Sequence, residues 1–361
     1  MLGLSFMRVI RLFFLAVLVA SLTLGTAAAQ ESGSVTYFED DFSNGFSAQG
    51  PEDKWFYFAA GPYVGNDGIE STSSNGLRVV SAGTNPRTGK PAFTKTLGQE
   101  DDVDGNPFGL PGGVDHVKWL AYTNHLTPSG VSGYEATSGQ ELSGHMLISG
   151  RTFGTQGHPF GRAVKTPNDD LRLASVAFNS IDFESWMVFD FFMTNERIYA
   201  LYERLPFGRT ADHNYAAFTY QIPLQERKAG QMHDLRIAYD RSAGVVRWLV
   251  DGEEKFRVDN IGHRIDRKYL TIDHGGVEET VAPAQLNFGM GMFTLLDGDL
   301  PSGKALVRLS NAPNFYFDPL QGEPTPQTFV DEESKASSRL FGQGAELRVS
   351  RLSVQSAPVS N

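Results

Sequence analysis

Residues 187–203 read Met187-Val188-Phe189-Asp190-Phe191-Phe192-Met193-Thr194-Asn195-Glu196-Arg197-Ile198-Tyr199-Ala200-Leu201-Tyr202-Glu203. Apolar residues recur at every second position on both sides of Thr194-Asn195-Glu196-Arg197. That is the period of a β-hairpin, not of a helix. Setting Met193 opposite Ile198 separates two faces, because successive side chains of a strand point to opposite sides. Met187, Phe189, Phe191, Met193, Ile198, Ala200 and Tyr202 then form a core face. Asp190, Phe192, Tyr199, Leu201 and Glu203 form the other. A preceding strand, joined through a loop at 182–185, adds Val176 and Phe178 to the first face and Ser175, Ala177 and Asn179 to the second. A face mixing Asn, Asp, Tyr and Glu with Phe and Leu is neither plain core nor plain solvent surface. It predicts the floor of a groove.

The same alternation extends outward to both ends of the chain. Candidate strands lie at 35–42, 54–58, 76–81, 141–149, 171–181, 216–223, 231–239, 245–251, 255–258, 285–293 and 345–354. Leu235, Ile237 and Tyr239 alternate with polar residues, Val246, Trp248 and Val250 do so again, and Asp251-Gly252 makes a tight hairpin turn. Many short strands, no clear amphipathic helix, and 38 glycines for tight turns predict an all-β chain. The predicted architecture is a two-sheet antiparallel sandwich or barrel. Residues 98–113, 153–170 and 311–338 are irregular and read as long loops, which often border binding sites. No linker or internal repeat is visible, so residues 30–361 are expected to form one domain.

The 361 residues carry 31 Lys plus Arg against 42 Asp plus Glu, a net charge of -11. That balance argues against nucleic acid and anionic membranes as partners. The absence of cysteine excludes disulfides, thiolate metal sites and a Cys nucleophile. Arg8 and Arg11, an apolar run at 12–24, and Ala27-Ala28-Ala29 have the form of an export signal cleaved after Ala29. The run is shorter than the ~20 apolar residues of a spanning helix, and no later stretch is long enough either. A secreted or periplasmic protein with no membrane span is expected.

The run His233-Asp234-Leu235-Arg236-Ile237-Ala238-Tyr239-Asp240 followed by Val246-Arg247-Trp248-Leu249-Val250-Asp251-Gly252 resembles the concanavalin A-like lectin/glucanase superfamily. Phe38-Glu39-Asp40-Asp41-Phe42 and the closing 347–354 resemble that fold's first and last strands, which pair. The resemblance implies a jelly roll. Residues 187–192 with Tyr202-Glu203-Arg204-Leu205-Pro206-Phe207 also resemble an uncharacterised bacterial family of about this length, which carries no known activity. Laminarinase-type glucanases of the superfamily use a strand reading Glu-x-Asp-x-x-Glu. The matching positions here are Val188, Asp190 and Met193, so both glutamates are replaced and the catalytic pair does not carry over.

Asp190 and Glu203 remain as a candidate acid/base pair, diagonal neighbours on one face of adjacent strands. The competing reading is structural: an ion pair for Glu203 and a satisfied backbone amide for Asp190. Asn179 and Tyr199 would flank the pair and bind hydroxyls, with Trp119 and His213 at the rim. His274 is a further candidate to border the groove, while Trp186 and Trp248 are expected in the sandwich. No histidine spacing suits a metal, and no Gly-x-Ser-x-Gly elbow is present. Asp102, Asp104 and Asn106 alternate as calcium ligands do, against the plainer reading of a solvated acidic turn. No other cofactor is implied. The leading expectation is an exported protein that binds an extracellular carbohydrate and hydrolyses it if the acid pair is catalytic. The alternatives are a non-catalytic envelope module and an enzyme or binder for a non-sugar small molecule.

Overall fold

The computed structural model describes residues 33–101, 111–300 and 304–359. The signal-like residues 1–29, and the calcium candidates Asp102, Asp104 and Asn106, lie outside the described residues.

Among the described residues, two antiparallel sheets of eight and nine strands enclose one large apolar core. The nine-stranded sheet runs Leu270–Asp273, Phe218–Glu226, Arg197–Arg204, Met187–Met193, Ser175–Ile181, Gln285–Phe293, Val117–Thr123 and Trp55–Tyr57, with Tyr134–Glu135 added on Gln285–Phe293. At the centre of the eight-stranded sheet, Gln140–Phe153 lies between His233–Asp240 and Gly344–Pro358. The first strand, Val35–Asp40, pairs with the last, Gly344–Pro358, as the resemblance implied. The chain is a two-sheet antiparallel jelly-roll sandwich.

The central hairpin has the predicted register. Met193 faces Ile198, Phe191 faces Ala200 and Phe189 faces Tyr202, all within the intersheet core. Ala177 pairs with Phe192, which puts Val176 and Phe178 on the core side as well. Burying a side chain of this size contributes roughly 1.5–3 kcal/mol, and one residue of slip would carry this row to the other face and turn Asp190 and Glu203 into the intersheet core. At the Asp251-Gly252 turn both residues take positive φ (53° and 84°), the geometry that suits a two-residue hairpin and favours glycine.

The second face is not an open groove floor. Val188, Phe192, Leu201 and Ala177 form a second buried cluster with Leu171, Phe293 and Leu295. The segment beyond Gln285–Phe293 folds back as further cover. Leu296, Leu306, Val307 and Leu309 pack with Phe160, Val164 and Leu173, while Tyr316 and Phe329 pack on Ile272. The long loops predicted at 153–170 and 311–338 therefore close over this side of the sheet. A sheet with both faces covered loses the contrast between apolar and polar sides.

Candidate functional site

Under that cover a cavity of about 80 Å³ remains. Its polar lining comes from Asn179, Asp190, Glu203, Thr219, Asp297 and the histidines His116 and His274. Ile181, Val188, Leu201, Ile272 and Leu295 supply apolar walls, and Phe183, Trp186 and Phe207 add aromatic surface.

The pairing that set the hairpin also sets the acids. Asp190 faces Leu201 and Glu203 faces Val188, so the two carboxyls are diagonal neighbours on one face. Asp190 is 4% exposed. Asn179 Nδ2 donates to its Oδ2 at 2.7 Å, and the Ser180 backbone N–H donates to its Oδ1 at 2.6 Å. Glu203 accepts from the Thr219 hydroxyl on the neighbouring strand. It is enclosed by protein yet keeps some accessible surface, which faces the cavity. Asp297 brings a third carboxyl, whose Oδ2 accepts from Tyr316 Oη at 2.9 Å.

Burial governs the charge of all three. Desolvation pushes Glu203 up to about 7, opposed by the Thr219 hydrogen bond and assisted by the charge of Asp297. Asp297 is pushed up to about 6 by burial, against the Tyr316 hydrogen bond. Burial raises Asp190 well above the usual carboxylate range, against its two N–H donors and with Glu203 adding to the rise. Burial lowers His116 and His274 to about 4, so both are neutral at pH 7. The His274 Nδ1–H donates to the Phe315 carbonyl at 2.5 Å, leaving Nε2 as an acceptor. The site can hold exchangeable protons near neutral pH, with no Lys or Arg in its lining among the described residues. Asn179 Oδ1 is buried without a hydrogen-bond partner among the described residues, an acceptor open to a ligand donor.

The structure brings Asp190, Glu203 and Asn179 together and moves three expected residues elsewhere. Trp119 is not a rim platform. It is 0% exposed in the intersheet core, where its Nε1–H donates to Glu70 at 2.6 Å. Its strand is covered on both faces, so the indole packs inward. Tyr199 shares the sheet face but lies beyond the cavity, and its hydroxyl donates to Asp169 at 2.9 Å. His213 sits on a separate exposed concavity, with Nε2 3.0 Å from both carboxylate oxygens of Glu279. The tryptophan at the cavity is Trp186, which the sequence placed in the sandwich. It is half-buried, takes a left-handed φ of 61°, and meets Phe183 and Phe207 edge-on. Bulky residues adopt that φ only where surrounding structure holds them. Asp297 and His116 were missed because each is remote in sequence from the hairpin and reaches it only through loop cover.

Residues 39–358 match the model of a family of unknown function, DUF6081. The chain belongs to that family. One relative by sequence is the uncharacterized protein L829 of Acanthamoeba polyphaga mimivirus, 29% identical over 379 residues, spanning 80% of this chain and 82% of that one. Among solved structures, the endo-1,3-beta-glucanase from Streptomyces sioyaensis is similar at 14% identity and a TM-score of 0.41, covering 92% of this chain and 100% of that one. The kappa-carrageenase from Pseudoalteromonas carrageenovora, in complex with an oligotetrasaccharide of kappa-carrageenan, is similar at 13% identity and a TM-score of 0.38, covering 92% and 99%. Neither likeness assigns a residue of the DUF6081 chain.

Proposed function

We propose that this protein binds a carbohydrate by a chain end, at the cavity over Asp190 and Glu203, and cleaves it by acid/base chemistry. The observation that carries the reading is the shared cavity of Asp190, Glu203 and Asp297, with burial holding Glu203 near neutrality. Glycoside hydrolysis needs one carboxyl that keeps its proton and one that gives up its own. Glu203 is placed as the acid that protonates the departing oxygen. Asp190 is the partner, on the reading that its two N–H donors hold the carboxylate form against the burial that raises it, and it attacks the anomeric carbon or takes a proton from water. Cβ atoms of diagonal neighbours stand about 5–8 Å apart, a span compatible with both the retaining and the inverting arrangement.

The cover argues for an end rather than an internal segment. A cavity of this kind needs about 10–15 Å³ to hold one water, so about 80 Å³ admits several waters or part of one ring. The flat side of a sugar has Trp186 to lie against, with its hydroxyls toward Asn179 and Thr219. The signal-like residues 1–29 support export to where such glycans occur. N-terminal sequencing of the secreted protein should return Gln30.

A hydrolysis screen of oligosaccharides, repeated with Glu203→Gln and Asp190→Asn, tests the proposal. Turnover that disappears in both variants while binding persists supports it. Binding without turnover in the wild type favours a module. The apolar lining of Ile181, Val188, Leu201, Ile272 and Leu295 favours a second reading, a small apolar molecule anchored by the same acids. A thermal-shift response to such molecules and to no glycan would select it.

A further inference from the structure

A second concavity, of about 650 Å³, lies on the outer face of the eight-stranded sheet. Arg78, Lys90, Arg151 and Arg348 line it, together with Phe153 and Met232. Glu346 is the one acid in its lining among the described residues. The register shows how the cations gather. Arg78 on Gly76–Ser81 faces Arg348 on Gly344–Pro358, and Arg348 faces Ser149 on Gln140–Phe153. Arg151 faces Glu346 on the same pair of strands. Leu347 and Val349 point into the core, so Glu346 and Arg348 point outward.

Two arginines directly opposite each other repel. Glu346 offsets this by accepting from Arg78 Nη2 at 2.6 Å and from Arg348 Nε at 2.7 Å. One carboxylate is thereby shared by two guanidinium groups. Arg151 and Lys90 have no acid within ion-pair distance among the described residues. Behind Arg151 lies a further buried cation, Arg227, which donates to the carbonyls of Thr194, Gly150 and Gln231. Arg227 is lowered to about 10, by burial first and by the neighbouring charge of Arg151 second. The chain as a whole carries -11, yet this hollow concentrates uncompensated positive charge.

We propose that this hollow binds an acidic glycan, engaging its carboxylate or sulfate groups with Arg78, Arg151 and Arg348. Guanidinium forks match such oxyanions with two parallel hydrogen bonds. Arg78 and Arg348 stand opposite each other on strands about 4.8 Å apart, and Arg151 lies one strand over and two residues along, so the three arginines form a staggered row rather than a single anion cup. A row suits anions repeated along a chain, and the exposed Met232 and half-buried Phe153 supply apolar surface beside it. The site is on the sheet opposite Asp190 and Glu203, so it stands or falls independently of the cavity.

Isothermal titration with tetragalacturonate, a neutral cello-oligosaccharide of the same length, and free sulfate, all in low salt, tests the proposal. The acidic oligomer should bind, weaken at least tenfold in Arg151→Gln and in Arg348→Gln, and weaken as salt rises. Both positions are exposed, and unchanged melting temperatures should show that the fold survives. The cavity variant Glu203→Gln should leave this binding unchanged. Equal affinity for acidic and neutral oligomers, no binding of either, or indifference to both arginine substitutions would overturn the proposal. Sulfate binding as tightly as the tetramer would also overturn it, by showing a single-anion site.

Discussion

The indole Nε1–H of Trp248, in the eight-stranded sheet, donates a 2.9 Å hydrogen bond to the backbone carbonyl of Asp190 in the nine-stranded sheet. The bond crosses the core and fixes the backbone that carries one of the candidate acids. Trp248 is fully buried and packs edge-on against Phe189 at 6.0 Å. Trp248→Phe should cost about 1–3 kcal/mol, from the unmet carbonyl and the space left behind. Denaturant titration measures the loss. Glycan turnover should fall by more than melting alone explains, because Asp190 loses its anchor.

Trp119 and Trp186 should behave oppositely. Trp119→Ala removes a fully buried indole and leaves the Glu70 carboxylate with one donor fewer, so about 3–5 kcal/mol of stability should go. Trp186→Gly removes a side chain from a left-handed backbone position that glycine prefers. Its stability should change by no more than about 1.5 kcal/mol, because relieved backbone strain offsets lost aromatic contact. Thermal melts and ligand titrations together check the pair: Trp186→Gly should fold and fail to bind.

Glu203 should make stability fall as pH rises. Its folded value of about 7 lies above the ordinary 4.5, so the native state holds the proton more tightly than the unfolded chain. Stability is then greatest below about 4.5, declines between there and 7, and stays reduced above. At about 1.4 kcal/mol per pKa unit the full effect is up to about 3.5 kcal/mol. Glu203→Gln should therefore raise the melting temperature at pH 8 relative to wild type, with little change at pH 4.

The same carboxyl should shape activity. Catalysis needs protonated Glu203, so turnover should decline as pH passes about 7. His274 titrates near 4 and is neutral throughout that range. A pH–rate profile of His274→Gln should keep the neutral-side limb, while a limb that vanishes there would assign the proton to the histidine.

The sandwich was legible where polar residues mark one face of a strand, as Asp190 and Glu203 do in the central hairpin, even though Met187–Met193 is buried on both faces. Phe189, Phe191, Ala200 and Tyr202 gave the hairpin register by period alone, and from it the common face of Asp190 and Glu203. Val117–Thr123 escaped notice because both of its faces are covered, and Lys118 is buried with Asp115 as its ion-pair partner at 3.3 Å. No alternation survives in such a strand. The cover over the second face was illegible for a related reason. Leu295, Leu296 and Leu306 sit in irregular chain, where no period announces which surface they will meet. Asp297 and Trp186 reach the cavity only through that packing. The basic hollow was hidden by the overall acidity, which averages over faces that the fold separates.

A crystal structure of the Glu203→Gln protein soaked with short oligosaccharides would show where the sugar sits. A terminal ring should lie against Trp186, with a ring or linkage oxygen within hydrogen-bond distance of Asp190 and residue 203. A sugar seated elsewhere, with the cavity holding only water, would contradict binding of a chain end over Asp190 and Glu203.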